Sequence, residues 1–184
     1  GPSAARIHEA FEASPPGQIL SFDPNLRPEL VEDRAESVKQ IEKLAGLADI
    51  VKLSDEDALW LYPGWDADRI LEHFLDRGAS LAVITFGARG AEARTKHTEV
   101  MVPSISVRTE DTVGAGDAFM SGLLHAILDS SLAQSLRDGT ELDSVELEKV
   151  MQIAAVCAGI TVSRTGANPP TLDELNQLDR KSVV

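Results

Sequence analysis

Nine consecutive residues hold the densest chemical content of this sequence: Asp111-Thr112-Val113-Gly114-Ala115-Gly116-Asp117-Ala118-Phe119. Gly114 and Gly116 flank Ala115 immediately before an apolar stretch that predicts a helix from about 114 to 128. Small residues at that junction leave backbone N–H groups unobstructed at the positive end of a helix dipole. Such an end suits a phosphate, above all one that gains charge during transfer. Asp117 falls in the first turn, where the same dipole favours its ionised form. A carboxylate beside an anion cradle can take the proton of an attacking hydroxyl. The plain alternative is a glycine-rich cap followed by an ordinary N-terminal aspartate, since short glycine motifs recur by accident. The helix itself weighs against that alternative. Ala118, Phe119, Leu123, Leu124, Ala126 and Ile127 leave almost no polar face, so the helix is expected to be central and buried.

The elements that must position this segment read as alternating strands and helices. Residues 4–13 predict a helix with Ala4, Ile7 and Phe11 on one face, and 19–22 a short buried strand ended by the turn Asp23-Pro24-Asn25. A helix is expected over 28–44, a strand over 49–53, helices over 55–61 and 67–77, and the clearest buried strand over 81–86. Residues 91–95 and 100–102 predict a hairpin. Asp143 and Glu146 have the spacing of a capping box for a long helix over 145–163, and a short helix closes the chain over 172–178. Fully apolar strands between helices predict a single α/β domain, 1–184, with a largely parallel sheet sandwiched between helices. Ligands of such sheets gather at the carboxyl ends of strands, which puts 23–27, 54–57 and 85–90 on one rim.

Composition narrows the function further. The formal charge of −13, with 43% hydrophobic and 26% charged residues, describes a folded acidic protein and disfavours nucleic acid or an anionic membrane as partner. An anionic ligand must then be held by local devices: helix N-termini, backbone amides, a few basic side chains or a metal ion. The single cysteine, Cys157, excludes an internal disulfide and fits a reducing cytoplasm; no Cys/His cluster has zinc spacing. The longest apolar stretch, 153–162, is too short to span a bilayer. His8, His73, His97 and His125 share no motif, and Trp60 and Trp65 read as local packing around Pro63-Gly64. The opening Gly1-Pro2-Ser3 has no initiator Met, which suggests a processed or truncated chain.

The stretch 111–119 resembles the C-terminal signature of the PfkB (ribokinase-like) carbohydrate kinases. Ser21-Phe22-Asp23-Pro24-Asn25-Leu26-Arg27-Pro28, Val51-Lys52-Leu53-Ser54-Asp55-Glu56-Asp57 and Ile84-Thr85-Phe86-Gly87-Ala88-Arg89-Gly90 resemble the fructokinase branch in order and spacing. Arg164-Thr165-Gly166-Ala167 also fits. The resemblance implies a ribokinase-like Rossmann-type sandwich, with the family's N-terminal strands and β lid not represented in this chain. It implies ATP-dependent phosphorylation of a small sugar, D-fructose to fructose 6-phosphate; the nearest enzyme alternative is a 2-keto-3-deoxygluconate kinase. A non-catalytic nucleotide-binding remnant is the reading from another class, and the intact Asp117 speaks against it.

Carried over residue by residue, the resemblance makes Asp117 the base and Gly114, Ala115 and Gly116 the anion hole. Thr85 and Gly87, with Gly90 in the same turn, would meet the nucleotide phosphates, and Ala155, Ala158 and Gly159 would wall the adenine. By themselves those three small residues fit close helix packing. Arg27 becomes a candidate for phosphate or substrate contact, although Asn25 and its neighbours also fit a simple turn. Asp111, the carbonyl of Val113 and carbonyls around Arg164 and Gly166 would hold a monovalent cation, K+. Where many members carry Asn-x-x-Glu, linked to Mg2+, this chain has Ser54 and Asp57, a carboxylate one methylene shorter; the acidic run also fits an ordinary helix N-terminus. With the first strands not represented, an unpaired sheet edge is expected, and with it a homodimer or other self-association.

Overall fold

The computed structural model describes residues 2–179. Eight α-helices and five strands are present among them: α1 Pro2–Glu12, β1 Ser21–Phe22, α2 Arg34–Ala45, β2 Ile50–Ser54, α3 Asp55–Leu61, α4 Ala67–Asp76, β3 Leu81–Thr85, β4 Ala91–Arg94, β5 Glu99–Val102, α5 Ala115–Leu128, α6 Leu132–Asp138, α7 Ser144–Val162 and α8 Leu172–Asp179. The strands form one sheet in chain order. β1, β2 and β3 run parallel, while β4 and β5 extend the sheet as an antiparallel hairpin.

Residues 50–53 and 81–84 are all buried, because helices cover both faces of the sheet. Alternation along the strands sorts their side chains between two cores. Ile50, Leu81 and Val83 pack with Phe119, Leu123, Leu147 and Met151 of α5 and α7. Val51, Leu53, Ala82 and Ile84 pack on the opposite face with Ile41, Leu61, Leu71 and Phe74 of α2, α3 and α4. The same alternation assigns Lys52 to the α5–α7 face with Ile50, although its side chain is charged and its residue only 3% exposed.

Three expectations change in detail. The helix expected over 28–44 divides into a 3-10 turn, Pro28–Leu30, and α2; Val31 between them is extended, and Asp33 caps α2 by accepting the Glu36 N–H at 3.0 Å. Pro28 suits a first turn but cannot by itself carry the helix past a competing cap. Residues 132–138, not assigned to any element by sequence, form α6, which buries Leu132, Ala133 and Leu136. Asp143 does cap α7, accepting from Glu146 N at 2.8 Å, but Glu146 does not reciprocate: its carboxylate accepts instead from the backbone and hydroxyl of Ser131, tying α7 to the start of α6. Reciprocal capping boxes lie instead at Ser54 with Asp57 and at Thr171 with Glu174. Among the described residues, no helix is long and apolar enough to cross a membrane.

Candidate active site

The register Ser54↔Thr85 places the carboxyl ends of β2 and β3 side by side, and Thr85 shares a cavity with Ala115 and Gly116 at the N-terminus of α5. Gly114 caps that helix with φ 79°, a left-handed conformation in which a side chain would be strained. Its missing Cβ also makes room for Ala167, whose own Cβ would lie 2.8 Å away. Asp111 fastens the two loops together: one carboxylate oxygen accepts from Val113 N and the other from Gly166 N, each at 3.0 Å. The backbone N–H of Val113, then that of Gly166, hold this carboxyl below its ordinary range. The cradle is thus rigidified by a side chain at one end of the motif and a glycine at the other.

Asp117 occupies the first turn of α5 and is exposed, and its carboxylate meets no hydrogen-bonding or ionic partner among the described residues. A carboxylate at that position can receive a proton without first breaking a bond to the protein. Gly116 has ordinary helical geometry, so its identity answers to space. A Cβ there would stand 3.1 Å from the ammonium of Lys52, which itself donates to Asp23 Oδ2 at 2.7 Å.

Beside the cradle opens a cavity of about 630 Å³, within the size range of small-molecule sites. Of the residues singled out by sequence, Thr85, Gly87, Gly90, Ala115, Gly116, Ala155 and Ala158 all line it, as does Gly159. The small residues of α7 divide their labour: Ala154 and Cys157 face Gly122 of α5, while Ala155, Ala158 and Gly159 face the cavity. Sequence reasoning missed the segment 104–107 that closes the opposite wall. Ser104 Oγ donates to the Ala88 carbonyl at 2.6 Å, and Ile105 lies against Gly159. Segment 104–107 belongs to no helix or strand, so periodicity gave no signal. Ala88, Thr109, Thr112, Phe119 and Val162 complete the surface, and among the described residues no charged side chain lines it.

Gly114, Asp117, Asp111, Val113 and Gly166 belong to the cradle and its flanking loops without lining the cavity, and three further predicted residues have their side chains engaged elsewhere. Arg27 is folded onto its own turn, its guanidinium donating to Asn25 Oδ1 at 2.7 Å and to the Leu26 carbonyl at 2.8 Å. Asp57 is buried, with Oδ1 accepting from Leu26 N at 3.0 Å and Oδ2 from Ser54 N at 3.3 Å. It ties the 23–27 turn to the rim and completes the cap of α3. The Arg164 side chain pairs with Glu174, whose carboxyl is lowered to about 2 by that guanidinium first and by the Thr171 N–H next. The backbone of the 163–167 loop nevertheless meets Asp111, through the Gly166 N–H.

Residues 3–174 match the model of the pfkB family of carbohydrate kinases. The chain belongs to that family. It is 41% identical over 134 residues to a fructokinase of Rhizobium leguminosarum bv. trifolii, covering 67% of this chain and 41% of that protein. A fructokinase of Xylella fastidiosa with bound ATP superposes with a TM-score of 0.81 at 27% identity, covering 99% of this chain and 57% of the other. A double-mutant fructokinase of Vibrio cholerae, bound to fructose, ADP and potassium, gives 0.76 at 29% identity over 95% and 54% of the two chains. The chain spans about half the length of the curated relatives it matches.

Proposed function

We propose that this chain carries the nucleotide site and the general base of a sugar kinase that converts D-fructose and ATP to fructose 6-phosphate and ADP. The observation that carries the reading is the exposed, unpartnered Asp117 in the first turn of α5, beside the amides of 114–116 and an uncharged cavity. The sugar hydroxyl oxygen attacks the terminal phosphorus of ATP, and the bond from that phosphorus to the bridging oxygen breaks. The hydroxyl proton passes to Asp117, and ADP leaves with the bridging oxygen. Amides at the α5 N-terminus face charge that grows on the moving phosphoryl group, so they favour the transition state over the ground state.

The adenine fits against Ala155, Ala158 and Gly159, and the phosphates along Thr85, Gly87 and Gly90 toward the cradle. Asp111 with carbonyls of Val113, Arg164 and Gly166 suits K+, which would supply fixed positive charge beside the loop. Mg2+ accompanies the ATP phosphates and keeps several waters, so Asp57 would touch it only through one. Fructose as acceptor is supported by relatives named fructokinase and by a fructose-bound structural neighbour. The buried, unbridged Cys157 suits a reducing cytoplasm. Ser21–Phe22 pairs on one side only, which leaves an edge open to a second copy.

The test is phosphorylation of fructose, ribose, 2-keto-3-deoxygluconate and adenosine by ATP. It is run on this chain alone and on this chain joined to whatever coding sequence lies in frame upstream. Fructose should be the fastest acceptor, giving fructose 6-phosphate in a magnesium-dependent reaction that potassium stimulates. A faster reaction with adenosine or ribose would overturn the fructose assignment and leave the kinase reading standing. No transfer to any acceptor in either form would overturn both. The chain alone is expected to turn over poorly and to self-associate in solution, and brisk turnover by a monomer would refute that.

A further inference from the structure

The cavity and its cradle pose an electrostatic problem. Four phosphate charges must enter a protein of net charge −13 through a surface that, among the described residues, no charged side chain lines. Backbone amides and the α5 dipole supply partial charges alone. One full positive charge nevertheless stands directly behind the cradle. Lys52 sits in the middle of β2, on the face turned to α5, with its side chain 4% exposed. A lysine is almost never buried to that degree without a partner. Its partner is Asp23, 2.7 Å away, at the end of the neighbouring strand β1.

The pair does not use the lysine up. An ammonium carries three donors, and Asp23 is its one hydrogen-bond acceptor among the described residues. The ammonium also comes within 3.1 Å of where a Gly116 Cβ would be, so the cradle's second glycine admits it. As a pure fold element the pair would be a poor choice, because buried ion pairs seldom stabilise more than apolar residues of the same volume.

We propose that Lys52, oriented by Asp23, is the cation of the anion cradle and binds the terminal phosphate of the nucleotide through the gap that Gly116 leaves. Asp23 is then a positioning residue: it fixes the ammonium and leaves two donors for the phosphate oxygens. Gly116 is glycine because the ammonium must approach it. The inference rests on the nucleotide-site reading of the cavity and adds to it the side chain that supplies the missing charge.

Titration of this chain with ATP and with ADP, followed calorimetrically, tests it. Lys52→Met should weaken ATP about 10- to 100-fold, the range for loss of a hydrogen bond to a charged group, and leave ADP unchanged. Because the single change strands a buried Asp23, Lys52→Met/Asp23→Asn removes both charges and should retain the fold with the same ATP-specific loss. Gly116→Ala should give a smaller loss of the same kind. Equal weakening of ATP and ADP, or unchanged ATP affinity in the folded double variant, would overturn the inference and leave the nucleotide site standing. Unfolding of all three variants would overturn it too, marking the pair as structural. Wild-type chain that binds neither nucleotide would overturn the inference and the kinase reading together.

Discussion

The two faces of the sheet handle polar groups in opposite ways. On the α2–α3–α4 face, Glu42 accepts from Tyr62 OH at 3.1 Å and His73 Nε2 at 3.0 Å and pairs ionically with Arg77 at 3.3 Å. Arg77 also donates to His73 Nδ1 at 2.8 Å, so that ring is neutral and hydrogen-bonded on both nitrogens. Tyr62 stacks on Trp65, and burial first and Glu42 second push its hydroxyl pKa up. Each group of that cluster has its partner inside the protein. On the α5–α7 face the polar groups are left partly open: Asp117 unpartnered, the Gly114 and Gly116 amides with no acceptor among the described residues although Ala115 N–H donates to the Thr112 carbonyl at 3.3 Å, and Lys52 with donors to spare. A closed polar network rigidifies, whereas an open one is available to a ligand.

Breaking the open face should cost function first. Asp117→Asn should lower fructose phosphorylation about 10²–10⁴-fold, the usual worth of a positioned base, with ATP affinity retained. Steady-state turnover beside calorimetric titration checks both parts, and near-normal turnover would remove Asp117 from its role.

Close packing behind the site comes next. A Gly122 Cβ would lie 2.6 Å from Cys157 Sγ and 2.9 Å from its Cβ, where α5 crosses α7. Gly122→Ala should therefore destabilise the chain by about 1–3 kcal/mol, as overpacking does, measured by urea unfolding. An unchanged midpoint would show that the two helices can part without loss.

The closed face should respond in stability alone. Tyr62→Phe removes one of the two hydrogen bonds to Glu42 and should destabilise by about 1 kcal/mol without altering nucleotide binding. A change in ATP affinity would break the contrast between the faces.

The smallest effect is one of pH. Burial foremost, then Arg77, hold the His73 pKa below its ordinary value against the opposing pull of Glu42 and Asp76. Between the folded and unfolded pKa values the unfolded chain binds more protons, so stability rises with pH there. The contribution is complete above about pH 6.5 and is lost as pH falls through the folded value. His73→Gln should flatten the slope of stability against pH below 6.5, and an unaltered slope would place the titration elsewhere.

Much of the site was legible because it lies in contiguous runs. Gly114 to Asp117 carry their chemistry in residue type and spacing, and the apolar helix after them could only be buried. The 19–22, 49–53 and 81–86 runs announced strands by length and apolarity, and the rim followed from parallel topology. Segment 104–107 was not legible, since a loop wall has no period and is defined by what it faces. Asp57 was expected on the rim, and only the tertiary structure shows its two oxygens accepting from backbone amides of separate parts of the chain, one 31 residues away.

Lys52 shows the division most sharply. The sequence by itself determined that a lysine stands in the middle of a buried strand, and alternation determined its face. Only the tertiary structure decided that Asp23, 29 residues earlier, meets it, and that Gly116, far later in the chain, leaves the space into which its ammonium points. Periodicity and capping act over a few residues and can be read locally. The approach of a charge to a distant glycine depends on how strands register and helices cross, which packing of the whole chain fixes.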